Sequence, residues 1–129
     1  MNARAADLWE RGKKALAVAK AVSTLDPDSA ASRAYYAAFY AVSARFVLEG
    51  KEFRKHSAVE TAVHRDLVKA GIWPTELGQG YSQLSETRSI GDYGELEHVS
   101  EADSARAIQI AGEILIAIAR ECPQDFSLD

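Results

Sequence analysis

The chain has 129 residues but only one cysteine and three prolines, and it has no long apolar run. Cys122 alone cannot form an internal disulfide, which fits a reducing compartment and points to a cytoplasmic protein. The longest apolar run, Ile114 to Ala119, falls far short of the about eighteen residues that read as a membrane span. The N-terminus carries Arg4, Asp7 and Glu10 with no apolar stretch behind them, so it does not read as a signal peptide. No segment alternates apolar and polar residues long enough to propose a strand. Positive charge is scarce as well. The formal net charge of −4 argues against nonspecific binding of nucleic acid or anionic lipid over the whole surface. Gly78-x-Gly80 has no strand before it and no Gly-Lys-Ser/Thr after it, which excludes a phosphate-cradling nucleotide loop. His56 and His64 would fall on different faces of one helix, and Cys122 is distant, so no metal site and no cofactor is expected.

What the chain does contain is ordinary globular composition, 47% apolar and 26% charged, and helical periodicity from end to end. One domain over residues 1–129 is expected. Leu8, Gly12, Ala15, Ala19 and Val22 share a face of a first helix, about Ala3 to Ser23. Asp26-Pro27 stops it and starts a second, since proline at a first helical turn loses no hydrogen bond. That helix runs to about Glu49 and ends at Gly50, a natural left-handed cap. Ser57-x-x-Glu60 has the form of a capping box, predicting a third helix from about His56 to Ala70, closed by Gly71. Trp73-Pro74-Thr75 opens a fourth, to about Ser89, with Gly78 and Gly80 permitting close packing or a kink. Ser100-x-x-Asp103 starts a fifth, which ends before Pro123. Its polar residues Arg106, Gln109, Glu113 and Arg120 form one narrow stripe, which predicts the central helix of the bundle or part of a subunit interface. Cys122 reads as a small apolar filler. The expected fold is an all-α bundle of five helices.

Two stretches stand out. In the second helix, Arg33, Tyr36, Tyr40 and Ser43 fall on one face, beside small residues at 31, 34, 38 and 41. This aromatic stripe either packs with its hydroxyls at the core edge or lines a groove facing an anion or a second subunit. The other stretch, Arg88-Ser-Ile-Gly91-Asp92-Tyr93, is placed at the end of the fourth helix and into a loop. There Asp92 can pair with Arg88, and Tyr93 is expected to be exposed beside it.

Arg33-Ala-Tyr35-Tyr36-Ala-Ala-Phe39-Tyr40, Lys55-His56-Ser57-Ala58-Val59 and Leu84-x-x-x-Arg88-x-x-x-Asp92-Tyr93, in this order and spacing, resemble the HEPN domain family, especially its small stand-alone prokaryotic members. The resemblance implies an up-and-down helical bundle that commonly dimerises, and often a toxin encoded beside a small nucleotidyltransferase. Active members are metal-independent RNases that use an arginine followed, four to six residues later, by a histidine. Arg88 matches the arginine, but the histidine positions hold Tyr93, Gly94 and Glu95, and His98 is too far along. A phenol with a pKa near 10 is a poor base at neutral pH. Acids dominate from Glu86 to Asp103, and Lys51, Arg54, Lys55, Arg65 and Lys69 make the locally basic stretch.

Three functions follow from the resemblance. One is a homodimeric RNA- or nucleotide-binding component paired with a nucleotidyltransferase. Another is a weak RNase in which Arg88 stabilises phosphate charge while Asp92 or Tyr93 handles protons. The last is a scaffold in which Arg88 and Asp92 only shape the local structure. The candidate catalytic residues are Arg88, Asp92 and Tyr93, with Arg33, Tyr36, Tyr40, Lys55 and His56 as candidate binding residues. The family also implies that a tyrosine near the arginine, here Tyr93, can accept AMP from the partner.

Overall fold

The computed structural model describes residues 2–129. Among them are α1 (Ala3–Val22), α2 (Pro27–Leu48), α3 (His56–Ala62, continued as a π-helix over Val63–Val68), α4 (Thr75–Tyr93) and α5 (Glu101–Glu121). The starts and stops are those that local chemistry dictates. Asn2, Asp26 and Ser100 cap α1, α2 and α5 by accepting from the backbone N–H three residues on. Gly50 and Gly71 take φ of 75° and 80° just past the ends of their helices, where a Cβ would be strained.

The helices run up and down. Gly12 of α1 meets Ala37 and Ala41 of α2, and a Cβ there would sit 3.0 Å from the Ala37 carbonyl oxygen, so the missing side chain lets the two backbones touch. Gly80 of α4 instead receives the Ile110 side chain of α5, whose Cγ2 would lie 2.9 Å from a Cβ there. This is close packing and not a kink. The centre of the bundle is α2, against the expectation for the fifth helix. Its Ala30, Ala31, Ala34, Ala37, Ala38, Ala41 and Ala44 are all at 0% exposure, because alanine lets α1, α4 and α5 all approach the one helix. The near-apolar α5 packs by one face through Ala107, Ile110, Ile114, Leu115 and Ile118. Its other side carries the exposed polar stripe Arg106, Gln109, Glu113 and Arg120, with Ala105 and Ile116 exposed beside it. Arg45, 6% exposed, ties α2 to α5 through ion pairs with Glu121 and with Glu49 of its own helix. Cys122 packs against the core as expected.

Two further expectations are corrected. Ser57-x-x-Glu60 is not a capping box. The residue preceding the helix is Lys55, Ser57 lies inside α3, and Glu60 instead accepts from Ser82 Oγ of α4 at 2.8 Å. The third helix also widens into π geometry, where Lys69 N–H donates to the His64 carbonyl five residues back. The widened segment packs where α4 has no side chain, with Val68 and His64 filling the space beside Gly78.

Candidate functional site

The fourth helix does not end at Ser89. It continues through Gly91 to Tyr93, so Asp92 and Tyr93 sit in its last turn and not in a loop. The lack of a side chain at Gly91 serves a contact: a Cβ there would come 2.8 Å from the carbonyl oxygen of Asp28. Continuing the helix places Asp92 one turn beyond Arg88, on the same face. Arg88 Nε donates to Asp92 Oδ2 at 3.0 Å. Its Nη2 reaches across to α2 and donates to the Tyr36 hydroxyl at 3.3 Å.

The guanidinium is enclosed by rings. Its Cζ lies 5.1, 5.5 and 5.8 Å from the ring centroids of Tyr35, Tyr36 and Tyr93, within the range of cation–π attraction. A second cation, Arg33, lies 4.8 Å from the Tyr36 ring. His56, the first residue of α3, completes the group. Its ring is 4.5 Å from Phe39 and 5.6 Å from both Tyr35 and Tyr36. Three helices therefore bring together six of the residues named from sequence: Arg33, Tyr36, His56, Arg88, Asp92 and Tyr93. Tyr93 is 70% exposed, while the Arg88 side chain keeps only 16% of its surface.

Burial and the nearby Arg88 charge both hold the His56 imidazole below its ordinary pKa. Burial opposes the charge on Arg88, but Tyr36 and the Asp92 carboxylate outweigh it, and the guanidinium titrates above its ordinary value. At neutral pH the site thus offers a permanent cation, an uncharged imidazole and phenols.

Tyr40 and Lys55 stand apart. Tyr40 lies against Tyr36 one turn along α2, with centroids 5.8 Å apart and rings tilted by 36°, and lines a separate groove of about 650 Å³ with Arg4, Arg11, Phe39, Phe53 and Arg54. Arg4 and Arg11 of this groove are already paired, with Glu52 and Asp7. Lys55 is exposed and forms no ion pair among the described residues.

The residues that fix the end of the site escaped the sequence reading. Asp28, in the first turn of α2, accepts from Val99 N–H and from His98 Nδ1, each at 2.7 Å. It thereby anchors the segment that follows Tyr93. The Val99 hydrogen bond and then His98 pull the Asp28 pKa below its ordinary value. No local pattern announces a pair seventy residues apart. A second such link joins His64, Ser82 and Glu60, with both contacts to Ser82 Oγ at 2.8 Å. Since Ser82 donates to Glu60, His64 Nε2 must supply the other proton, so this trio is a polar tie between α3 and α4 and not an activated serine.

The fold and this site together define a class: a five-helix up-and-down protein carrying an aromatic-enclosed arginine where its second, third and fourth helices meet. The chain belongs to the HEPN domain family, whose model matches residues 5–121. It is similar to a UPF0332 protein of Thermotoga maritima, 44% identical over 90 residues that cover 70% of this chain and 68% of the relative. No solved structure matches it. Among the described residues, no helix is long and apolar enough to cross a membrane.

Proposed function

We propose that this HEPN protein binds an RNA or nucleotide phosphate at Arg88 and works as a homodimer paired with a nucleotidyltransferase, in the manner of a toxin–antitoxin couple. One observation carries the reading. Arg88 is mostly buried among three tyrosine rings yet has a single carboxylate partner, Asp92, and Arg33 lies over the same Tyr36 ring. A guanidinium needed only for shape would have its donors taken up by fixed partners, and here only Asp92 and Tyr36 accept from it among the described residues. An incoming phosphate would accept the guanidinium donors left over by Asp92 and Tyr36. The exposed, adjacent Tyr93 is the acceptor we assign for nucleotidyl transfer from the partner, and a phosphodiester there would place negative charge over Arg88. Leu25 and Leu96, 84% and 96% exposed, lie on the two turns joined near Asp28 and supply apolar surface for the second copy.

The test is binding of a labelled oligoribonucleotide and of AMP to the wild type, Arg88→Ala and Arg88→Lys. Lysine cannot reproduce a bidentate contact, so both variants are expected to bind about tenfold or more weakly. Unchanged affinity in both would leave Arg88 a structural residue. Intact mass after co-expression with the nucleotidyltransferase encoded alongside tests Tyr93, since a modification surviving Tyr93→Phe assigns it elsewhere. Light scattering that shows a monomer at micromolar concentration would remove the dimer.

A further inference from the structure

We infer that the turn after α4 is a docking knob, and that the groove between α1, α2 and the segment after α2 receives it from a second copy of the chain. The inference rests on the homodimer reading and deepens it by naming the two surfaces that meet.

The knob is Glu95-Leu96-Glu97. Leu96 is 96% exposed, more than any other large apolar side chain among the described residues, and both flanking glutamates are exposed. On a loose loop such a leucine is free to fold back against the protein, but this turn is fixed. Glu97 N–H donates to the Gly94 carbonyl at 2.8 Å, and a Cβ at Gly94 would come 2.5 Å from the Ile90 carbonyl oxygen. Asp28 holds the far side through Val99 N–H and His98. Glu95 takes a φ of 55°, the one positive value at a non-glycine residue among those described. A strained backbone that holds an apolar side chain out in water calls for a partner that covers it.

The groove has the complementary chemistry. Its apolar floor is made by Leu8, which is buried, and by Phe39 and Phe53, which are half-buried. Arg4, Arg11, Lys51 and Arg54 line it against a single acid, Glu52. Three of these four cations have ion-pair partners, and Arg54 has none among the described residues. The pairs of Arg4 and Arg11 are exposed on both sides, where solvent leaves them weak and easily exchanged. An apolar side chain flanked by two carboxylates fits this arrangement, and about 650 Å³ has room for a turn of chain and not only one side chain.

A chain cannot fill its own groove. The turn is tied to Asp28 in the first turn of α2, while the groove is built on Phe39 to Val47 of the same helix. Asp28 and Ser43 are separated by about 22 Å along that one axis. The same separation suits a two-fold pair. With the α2 helices of two copies antiparallel, each knob faces the other copy's groove, so both contacts close at once and neither surface is left for a third copy.

The experiment measures the mass of the full chain in solution by light scattering at micromolar concentration, with circular dichroism to check folding. The wild type is expected to be a dimer that weakens with added salt. Leu96→Glu alters an exposed residue outside the core. It should raise the dimer dissociation constant about 100-fold or more, because the knob is lost on both sides of the pair. Arg11→Glu combined with Arg54→Glu should do the same from the groove side. Mixing the two variants restores one intact knob and one intact groove, so a mixed pair should form where neither variant pairs alone. Failure of the mixture to pair overturns the match of knob with groove. A dimeric wild type with both variants still dimeric overturns these surfaces and leaves the homodimer reading standing, whereas a monomeric wild type removes both. A monomeric wild type that binds a labelled peptide of residues 92–99 gives the groove to another protein's acidic segment and overturns the second copy as its occupant. Salt-sensitive assemblies larger than a dimer overturn the two-fold closure.

Discussion

Removing the Asp28 carboxylate should loosen the end of the site without touching any residue in it. Asp28→Ala deletes the acceptor of the Val99 N–H, and Val99 is only 6% exposed. A donor left unpaired in that setting costs about 1–3 kcal/mol. The His98 contact adds little, because the imidazole is 69% exposed and solvent screens it. With a loss of about 2 kcal/mol and the unfolding entropy of a chain this long, the melting temperature should fall by about 7 °C. Asp28→Asn keeps the oxygen facing Val99 and should lose less than half as much.

The sign with pH is fixed by the lowered pKa. A carboxyl depressed in the folded state stabilises above the ordinary value of 3.8, and that stability is lost as pH falls through the folded value. The gap between wild type and Asp28→Asn should therefore be constant from pH 5 to 7 and close in stronger acid. Thermal unfolding followed by circular dichroism across this range is the assay, with hydrogen exchange at the Val99 amide as the local probe. If Asp28→Ala melted within 1–2 °C of the wild type at neutral pH, the anchoring role would be wrong.

Two helix glycines should respond in opposite directions. Gly112→Ala has open space around its new methyl and should gain about 0.5–1 kcal/mol from helix propensity. Gly12→Ala drives a methyl against the Ala37 carbonyl and the Ala41 nitrogen, at 3.0 and 3.3 Å, and its overpacking cost of about 1–3 kcal/mol should exceed that gain. Denaturant melts of the pair check both. Arg45→Ala should be more damaging, at about 3 kcal/mol, since it strips Glu121 and Glu49 of the cation that compensates them at the α2–α5 seam. A midpoint shift under 1 kcal/mol would show that solvent reaches both carboxylates.

What could be read from the sequence was local. Asp26-Pro27, Gly50, Gly71 and Ser100 mark real boundaries because a cap or a left-handed turn is decided by neighbouring residues alone. The nearness of Tyr93 to Arg88 is likewise legible within one stretch, whereas Tyr36 meets Arg88 only once α2 and α4 pack together. What failed to read correctly depended on partners far along the chain. The stretch around Gly91 reads as running into a loop until Asp28 is seen lying against it, and Ser57-x-x-Glu60 matches a cap until Ser82 draws Glu60 away. The composition of α5 suggested the centre, but alanine content decides which helix can be approached from several sides, and that favoured α2. His98 and Asp28 meet only once the ends of α1 and α4 are side by side.

The π-helix over Val63–Val68 decides where the site tolerates a change of chain length. It holds one residue more than an α-helix of the same reach. A single residue can be taken out of this wide turn and α geometry regained with both flanks in register, whereas a residue inserted into the regular helix between Ser57 and Ala62 would turn what precedes it by about 100° about the axis. His56 would then be carried away from Tyr35 and Tyr36, while Arg88, Asp92 and Tyr93 on their own helix stayed in place. A one-residue deletion in the π segment should therefore leave the assembled site standing where a one-residue insertion between Ser57 and Ala62 would take it apart.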